Sequence, residues 1–153
     1  MRTLELKIPP PAVALATAAL MYLVSRATPG FGFAFPARIY FAIGLVSAGV
    51  LTAISGVLAL RRAQTTLNPM KPDTATSLVA SGSYTVTRNP MYLGLLLVLS
   101  GWAIFLSNVI VFIFLPVFVF YMNRFQIVPE ERMLAFKFGQ DFAAYKARVR
   151  RWL

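Results

Sequence analysis

The longest stretch without Asp, Glu, Lys or Arg runs from Asn89 to Asn123. As one α-helix rising about 1.5 Å per residue, it would be roughly 50 Å long. The hydrocarbon core of a bilayer is only about 30 Å thick, so a single straight span does not fit. Ser107-Asn108 is the only polar pair inside the run. The run therefore predicts a tight hairpin at this pair, joining one helix that begins near Pro90 to another that ends near Gln126.

Two other uncharged runs, Ile8 to Ser25 and Ile39 to Leu60, each approach the roughly 20 residues that a spanning helix needs. Hydrophobic residues make up 58% of the chain and charged residues 13%, which is more apolar surface than a soluble domain of this size can bury. We predict an all-α integral membrane bundle of about four transmembrane helices, in a single domain covering residues 1–153. Small residues of the run 39–60 are predicted to pack closely against a neighbouring helix: Gly44, Ser47, Ala48, Gly49, Ser55 and Gly56.

The chain has 15 Lys and Arg residues against 5 Asp and Glu. Four spans would put both termini on one side, and only Arg26 and Arg38 would then lie on the other side. The positive-inside rule makes the termini cytoplasmic. We expect a multi-pass protein of the cytoplasmic membrane of a prokaryote. Because the basic residues stand at the ends of uncharged runs, they are expected to face anionic lipid headgroups rather than nucleic acid.

Cysteine and histidine are both missing from the sequence. Disulfides, cysteine nucleophiles, zinc sites built on these residues and histidine acid-base catalysis are therefore excluded, and no metal site is predicted. Any chemistry must depend on carboxylates, arginines, tyrosines and backbone groups.

The charged C-terminal tail predicts a cytoplasmic helix that begins at Pro129, with Glu130 and Glu131 at the positive end of its dipole. Its apolar residues recur every three or four positions, with a bend expected at Gly139; they are Leu134, Phe138, Phe142, Tyr145 and Val149. The segment from Gln64 to Arg88 is predicted to be a loop because it is rich in turn-forming residues.

Three polar clusters would meet on the cytoplasmic side: residues 83–94, residues 123–126 and residues 130–132. Taken singly, each has an ordinary explanation. Arg88 and Arg124 could extend to the membrane interface, tyrosines could belong to an aromatic belt, and the glutamates could complement a helix dipole. Taken together, these arginines and carboxylates could surround a polar cofactor.

The order and spacing of several motifs resemble the isoprenylcysteine carboxyl methyltransferase family over roughly residues 61–153. The motifs are Thr66-Leu67-Asn68-Pro69, Leu78-Val79, Gly82-Ser83-Tyr84, Arg88-Asn89-Pro90-Met91-Tyr92-Leu93-Gly94, Glu130-Glu131, Phe138-Gly139, Tyr145 and Val149-Arg150-Arg151-Trp152-Leu153. The resemblance implies a multi-span methyltransferase that encloses S-adenosylmethionine and admits a lipophilic substrate from the bilayer. It implies that Arg88 and Arg124 lie near the reacting end, and that the cofactor-binding residues are Tyr84, Asn89, Pro90, Tyr92, Gly94, Glu130 and Glu131. Of the two glutamates, Glu131 is favoured as the one that receives the methionyl ammonium or a ribose hydroxyl of the cofactor.

The chain departs from the eukaryotic pattern at Asn89, where that pattern has histidine, and it has fewer spans. The substrate is therefore the least transferable part of the resemblance. Methyl transfer to a carboxylate needs no strong base, so the lack of histidine is no obstacle. The expected activity is methylation of a membrane-embedded acceptor, with a carboxylate favoured. A nicotinamide-dependent membrane reductase of the sterol-reductase type and a non-catalytic membrane scaffold remain as alternatives.

Overall fold

The computed structural model describes residues 5–65 and 75–153, and these form an all-helical membrane bundle, as predicted. The helices are α1 (Pro10–Ala27), α2 (Arg38–Arg62), α3 (Pro90–Leu106), α4 (Phe114–Met122) and α5 (Val128–Arg148). Short 3-10 turns lie at Pro29–Phe31, Gly82–Thr85 and Val109–Ile113, and a π-helical segment, Asn123–Ile127, joins α4 to α5. Residues 66–69, Lys71 and Asp73, which entered the sequence predictions, lie outside the described residues, as does Arg2.

Three helical stretches are long and apolar enough to cross a membrane: Pro10–Ala27, Arg38–Arg62 and Val109–Arg148. The helix α3 has 17 residues and stands at the lower end of the spanning range. The 40 residues of the last stretch would measure about 60 Å, which is twice the hydrocarbon thickness. Only its apolar first half fits the membrane core, and the charged residues of α5 from Glu130 onward lie beyond it.

The predicted hairpin between the third and fourth helices is confirmed. Ser107 ends α3 in the left-handed region at φ 49° and ψ 45°, which reverses the chain at once. The Asn108 side chain caps the following turn by accepting from the Ile110 N–H at 2.9 Å, and its amide donates to the Thr28 carbonyl at 2.8 Å. The hairpin is therefore tied to the loop between α1 and α2.

Close packing of α2 on α3 explains the small residues that both helices contain. A Cβ atom on Gly49 would lie 2.6 Å from the Gly94 carbonyl oxygen, and a Cβ on Gly94 would lie 2.5 Å from that of Gly49. A Cβ atom on Gly56 would likewise lie 3.0 Å from the side chains of Pro90 and Met91. The packing prediction is correct for Gly49 and Gly56, whereas a Cβ on Gly44 would meet nothing within 4 Å.

The predicted start of a new helix at Pro129 is wrong, because α4 continues into α5 without a break. The backbone stays helical at Ile127, and the Val128 N–H bonds five residues back to the Asn123 carbonyl. Pro129 lacks an N–H and crowds the carbonyl four residues earlier, that of Phe125. This carbonyl instead accepts from the Leu6 N–H at 3.0 Å. The wider π turn thus admits a proline inside one long helix.

The predicted bend at Gly139 is confirmed, and it turns the second half of α5 toward the start of α3. Gly139 has φ 46° and ψ −116°, a conformation that side chains with a Cβ rarely adopt. After the bend, Phe142, Tyr145 and Val149 are buried together. The chain then leaves the helix in an extended conformation at Val149.

The contact between α2 and α3 predicts that Gly49→Ala will destabilise the bundle by about 1–3 kcal/mol, because the new methyl group overlaps the facing backbone. Gly44→Ala is the matched control in the same helix, and it should change stability by no more than about 1 kcal/mol, in the stabilising direction. Unfolding of both variants in detergent micelles measures the difference. Equal effects at the two positions would contradict the assigned packing.

Candidate functional site

A pocket lies between the C-terminal end of α2, the turn before α3, the first residues of α3 and α5. Five residues predicted for the site line it: Tyr84, Arg88, Asn89, Glu130 and Glu131. Apolar and aromatic side chains complete the wall, among them Ile127, Leu134, Phe142 and Tyr145. The fold therefore brings together two of the predicted polar clusters, residues 83–94 and 130–132, which are about 40 positions apart in sequence.

Glu131 stands between two arginines at the edge of this pocket. Its Oε1 atom lies 3.2 Å from Nη2 of Arg88 and accepts from Nε of Arg151 at 3.1 Å. Its Oε2 atom accepts from Nη2 of Arg151 at 2.6 Å. The side chains of Arg88 and Glu131 are only 9% and 12% exposed, so this network is shielded from solvent. Charge-assisted bonds in such a place are stronger than the same bonds at a surface.

Arg88 keeps donors that this network does not use. Its Nε and Nη1 atoms are buried and have no hydrogen-bond partner within residues 5–65 and 75–153. Leaving charged donors buried without an acceptor costs free energy, which an anionic group in the pocket would recover. The arrangement can therefore bind a carboxylate or a phosphate oxygen beside Glu131.

Glu130 has a different environment from its neighbour. Its Oε2 atom accepts from the Tyr92 hydroxyl at 3.0 Å, and the ion pairs found across the described ranges do not include it. Removal from water raises the pKa of Glu130 to about 7; the Tyr92 hydrogen bond opposes this rise, and the charge of Glu131 adds to it. Glu130 is a carboxylate that can accept either a proton or a cationic ligand near neutral pH.

Two tyrosines form the side of the pocket nearest the 3-10 turn. The Tyr145 hydroxyl donates to the Tyr84 carbonyl at 2.8 Å, which holds Gly82–Thr85 against α5. Burial, with smaller contributions from Glu130 and Tyr145, raises the pKa of Tyr84 well above its ordinary value. Its hydroxyl therefore stays protonated and serves as a donor and as apolar surface.

Some predicted site residues are placed elsewhere. Arg124, expected near the reacting end, donates from Nη1 to Glu5 Oε1 at 3.0 Å and is not among the lining residues. Gly94 lies in the contact between α2 and α3, and Pro90 forms the first turn of α3 against Gly56. Tyr92 is not among the lining residues, and its hydroxyl donates to Glu130. These differences arise because the spacing of motifs in the sequence does not show which face of a helix each residue lies on.

Sequence reasoning missed the contact that Arg151 makes with Glu131, because Arg151 was quoted within the C-terminal motif of the resemblance but was given no role there. The segment after α5 pairs with the chain just before α3, where Thr87 and Arg150 form a parallel bridge. The Arg88 N–H donates to the Arg150 carbonyl at 2.9 Å, and the Asn89 amide donates to the Arg151 carbonyl at 2.9 Å. The sequence signals were that C-terminal motif and the end of helical periodicity at Val149.

Residues 37–141 match the phospholipid methyltransferase family. The match covers more than half of the chain and includes Arg88, both glutamates and most of the pocket wall. This chain belongs to the phospholipid methyltransferase family.

A relative of this family member occurs in Haemophilus influenzae, where it is described only as an uncharacterized protein. The two are 44% identical over 63 residues, which is 41% of this chain and the whole of the relative. No solved structure matches the chain. The family membership makes the protein a membrane methyltransferase. The matched residues include Arg88 and Glu131 but end before Arg151.

The environment of Glu130 in this methyltransferase predicts that Tyr92→Phe will raise the Glu130 pKa further above about 7. The substitution removes a hydrogen bond to the ionised carboxylate, so the protonated form is favoured. A pH titration followed by the infrared band of the protonated carboxyl group measures the shift, and Glu130→Gln identifies the band. A pKa that is unchanged or lower in Tyr92→Phe would refute the assigned hydrogen bond.

Proposed function

We propose that this family member transfers a methyl group from S-adenosylmethionine to the carboxylate of a lipophilic acceptor in the membrane. The observation that supports this most directly is Arg88, whose Nε and Nη1 donors are buried in the pocket wall without a partner in the described chain. A guanidinium fork of this kind matches a carboxylate in geometry and charge. The same site offers a separate carboxylate for the cationic part of the cofactor.

The residues of the pocket fit S-adenosylmethionine. Its methionyl ammonium requires an acceptor of negative charge, and its adenine requires apolar or aromatic surface. Glu130 would receive the ammonium, while Tyr84, Leu134 and Phe142 would cover the adenine. Asn89 uses one amide donor on the Arg151 carbonyl, and its amide oxygen would serve a ribose hydroxyl.

Sequence reasoning had favoured Glu131 over Glu130 as the residue that receives the ammonium. The contacts of the two glutamates favour the reverse assignment, because both oxygens of Glu131 already accept from arginines. The dipole explanation for the glutamates also loses its basis, since α5 has no free N-terminus at Ile127. We therefore assign cofactor binding to Glu130 and an electrostatic, structural role to Glu131.

The chemistry requires no general base when the acceptor is a carboxylate. When bound, the cofactor supplies a methyl group on a sulfonium. In the proposed transfer, a carboxylate oxygen of the acceptor would form the new C–O bond while the C–S bond breaks, and the electron pair of that bond would remain on sulfur. Arg88 would orient the acceptor carboxylate, and correct alignment of this kind is worth on the order of 7 kcal/mol in favourable cases.

A second candidate acceptor is the amine of a phospholipid headgroup. The description of the matching family and the Glu130 pKa of about 7 support it, since an ammonium must lose a proton before it can accept a methyl group. In this alternative Glu130 takes that proton, and Arg88 binds the headgroup phosphate. The two acceptor classes differ in the product, an ester or a methylated amine.

The membrane orientation is part of the proposal. We place the pocket at the cytoplasmic face, because Arg26 and Arg38 are the only basic residues expected on the opposite side. Helices α3 and α4 have almost no loop between them, so acceptors would enter from lipid. A periplasmic location for a reporter fused after Leu153 would overturn this orientation.

The experiment that tests the proposal titrates purified protein in lipid nanodiscs with S-adenosylmethionine, S-adenosylhomocysteine and NADPH. It then offers isotopically labelled methyl donor with lipophilic acids, aminophospholipids and water-soluble acids. Binding of S-adenosylhomocysteine together with labelled ester supports the proposed reaction, and labelled amine supports the second candidate. Binding of NADPH would favour a reductase, and binding of none of the three would favour a scaffold. Efficient methylation of a water-soluble acid would contradict entry from the bilayer.

Substitution of the two glutamates separates their roles. Glu130→Gln should weaken S-adenosylhomocysteine binding roughly tenfold to a hundredfold, because a charge-assisted hydrogen bond worth about 1.5–3 kcal/mol is lost. The wild-type affinity should rise as pH increases through about 7, since Glu130 must be ionised to bind the ammonium, and this dependence should disappear in Glu130→Gln.

Glu131→Gln is the matched control for that titration. It should lower the melting temperature more than Glu130→Gln does, because it breaks a buried ion-pair network, and it should affect the binding of the homocysteine product less. Isothermal titration and thermal melts measure both effects. Equal affinity losses at the two positions would contradict the assignment of the ammonium to Glu130.

A further inference from the structure

We propose that Arg151 is a positioning residue that keeps the guanidinium of Arg88 directed at an anionic substrate group by holding the intervening carboxylate of Glu131. The inference deepens the proposed function and rests on it for the identity of the anion. It adds a residue outside the range that matches the family and outside the residues that line the pocket.

The first step is the unequal sharing of Glu131. Arg151 occupies both carboxylate oxygens, donating from Nε to Oε1 at 3.1 Å and from Nη2 to Oε2 at 2.6 Å. Arg88 is left with a single contact, from Nη2 to Oε1 at 3.2 Å. Because of this division, Nε and Nη1 of Arg88 remain without partners among the residues described.

The second step follows from the preference of arginine for two-point pairing with a carboxylate. If Arg151 were absent, both oxygens of Glu131 would be open to Arg88, the nearest buried cation. Arg88 would then satisfy two donors on Glu131 by turning its guanidinium, and those donors would be lost to the substrate. Arg151 therefore acts as a competitor that limits Arg88 to one contact with Glu131.

The third step is that Arg151 is itself fixed to the strand-like segment that carries Arg88. The Arg151 carbonyl accepts from the Asn89 amide at 2.9 Å and from the Thr87 hydroxyl at 3.1 Å. The Trp152 indole N–H donates to the Asn123 Oδ1 atom at 3.1 Å and fastens the next residue to the π segment. These bonds fix the backbone of Arg151 next to the segment of Arg88, and the two guanidiniums extend from these fixed positions.

Charge leads to the same conclusion. The two arginines that contact Glu131 carry more positive charge than this one carboxylate balances, which favours an anion at the unused donors of Arg88. The Arg151 side chain is 32% exposed whereas that of Arg88 is 9% exposed, which makes Arg88 the member that meets a bound substrate. Removal of Arg151 therefore both reorients Arg88 and cancels the positive charge that attracts the anion.

The kinetic test compares Arg151→Ala with Arg150→Ala in nanodiscs. Arg150 is adjacent, carries the same charge and is exposed, and its side chain takes no part in the ion pairs of the described chain. Arg151→Ala should raise KM for the acceptor at least tenfold, while the Kd for S-adenosylhomocysteine should change less than threefold. Arg150→Ala should leave both near the wild-type values. Arg151→Lys restores the charge without the fork and should recover only part of the loss.

A merely structural role would give a different pattern. If Arg151→Ala weakens acceptor and product binding equally, or no more than Arg150→Ala does, the proposal is wrong. Full recovery by Arg151→Lys would also overturn the competition argument, because lysine cannot occupy both oxygens in a fixed fork.

The contact itself is tested without activity, so that failure of the proposed function can be recognised separately. Melting temperatures of Arg151→Ala, Arg88→Gln and the double variant form a cycle. Non-additive shifts are expected, because both residues act on Glu131, and additive shifts would overturn the proposal. If the wild-type protein binds no S-adenosylhomocysteine, the proposed function fails, and this cycle alone decides whether Arg151 controls Arg88.

Discussion

The Glu131 carboxylate is the group on which the arrangement of the pocket at the start of α3 depends. It joins α5 to the segment before α3 through Arg88 and to the C-terminal residues through Arg151. Because the group is shielded from water, removing the Glu131 carboxylate would leave two neighbouring arginines without their shared counter-charge. The three-way contact therefore defines one arrangement of the pocket wall, whereas apolar contacts alone would permit several.

The membrane half supplies the rigidity that this network requires. Contact of Gly49 with Gly94 sets α2 against α3 at backbone distance, and the Asn108 capping bonds fix the opposite end of α3. The first residues of α3 therefore have little freedom where they enter the pocket. A site built from the ends of such helices holds its side chains more precisely than one built from long loops.

The sequence was most informative where a physical limit acted on many residues at once. Membrane thickness predicted the hairpin at Ser107-Asn108, and the conformational freedom of glycine predicted the bend at Gly139. It was least informative where a single long-range contact decides the outcome. Pro129 indicates a helix start by local rules, but the Leu6 N–H satisfies the Phe125 carbonyl and the helix continues.

The same limitation explains why the sequence predicted the residues of the candidate site but not their contacts. Motif spacing identified Arg88 and both glutamates, but it could not show which glutamate the arginines occupy. That distinction depends on Arg151, which the turn at Gly139 and the extended Val149 bring back to the start of α3. Adjacent, chemically identical side chains on one helix point in directions about 100° apart, so neighbours in sequence can have different partners. In this family member, Glu131 completes the ion-pair network, whereas Glu130 accepts from the Tyr92 hydroxyl and takes no part in the ion pairs of the described residues.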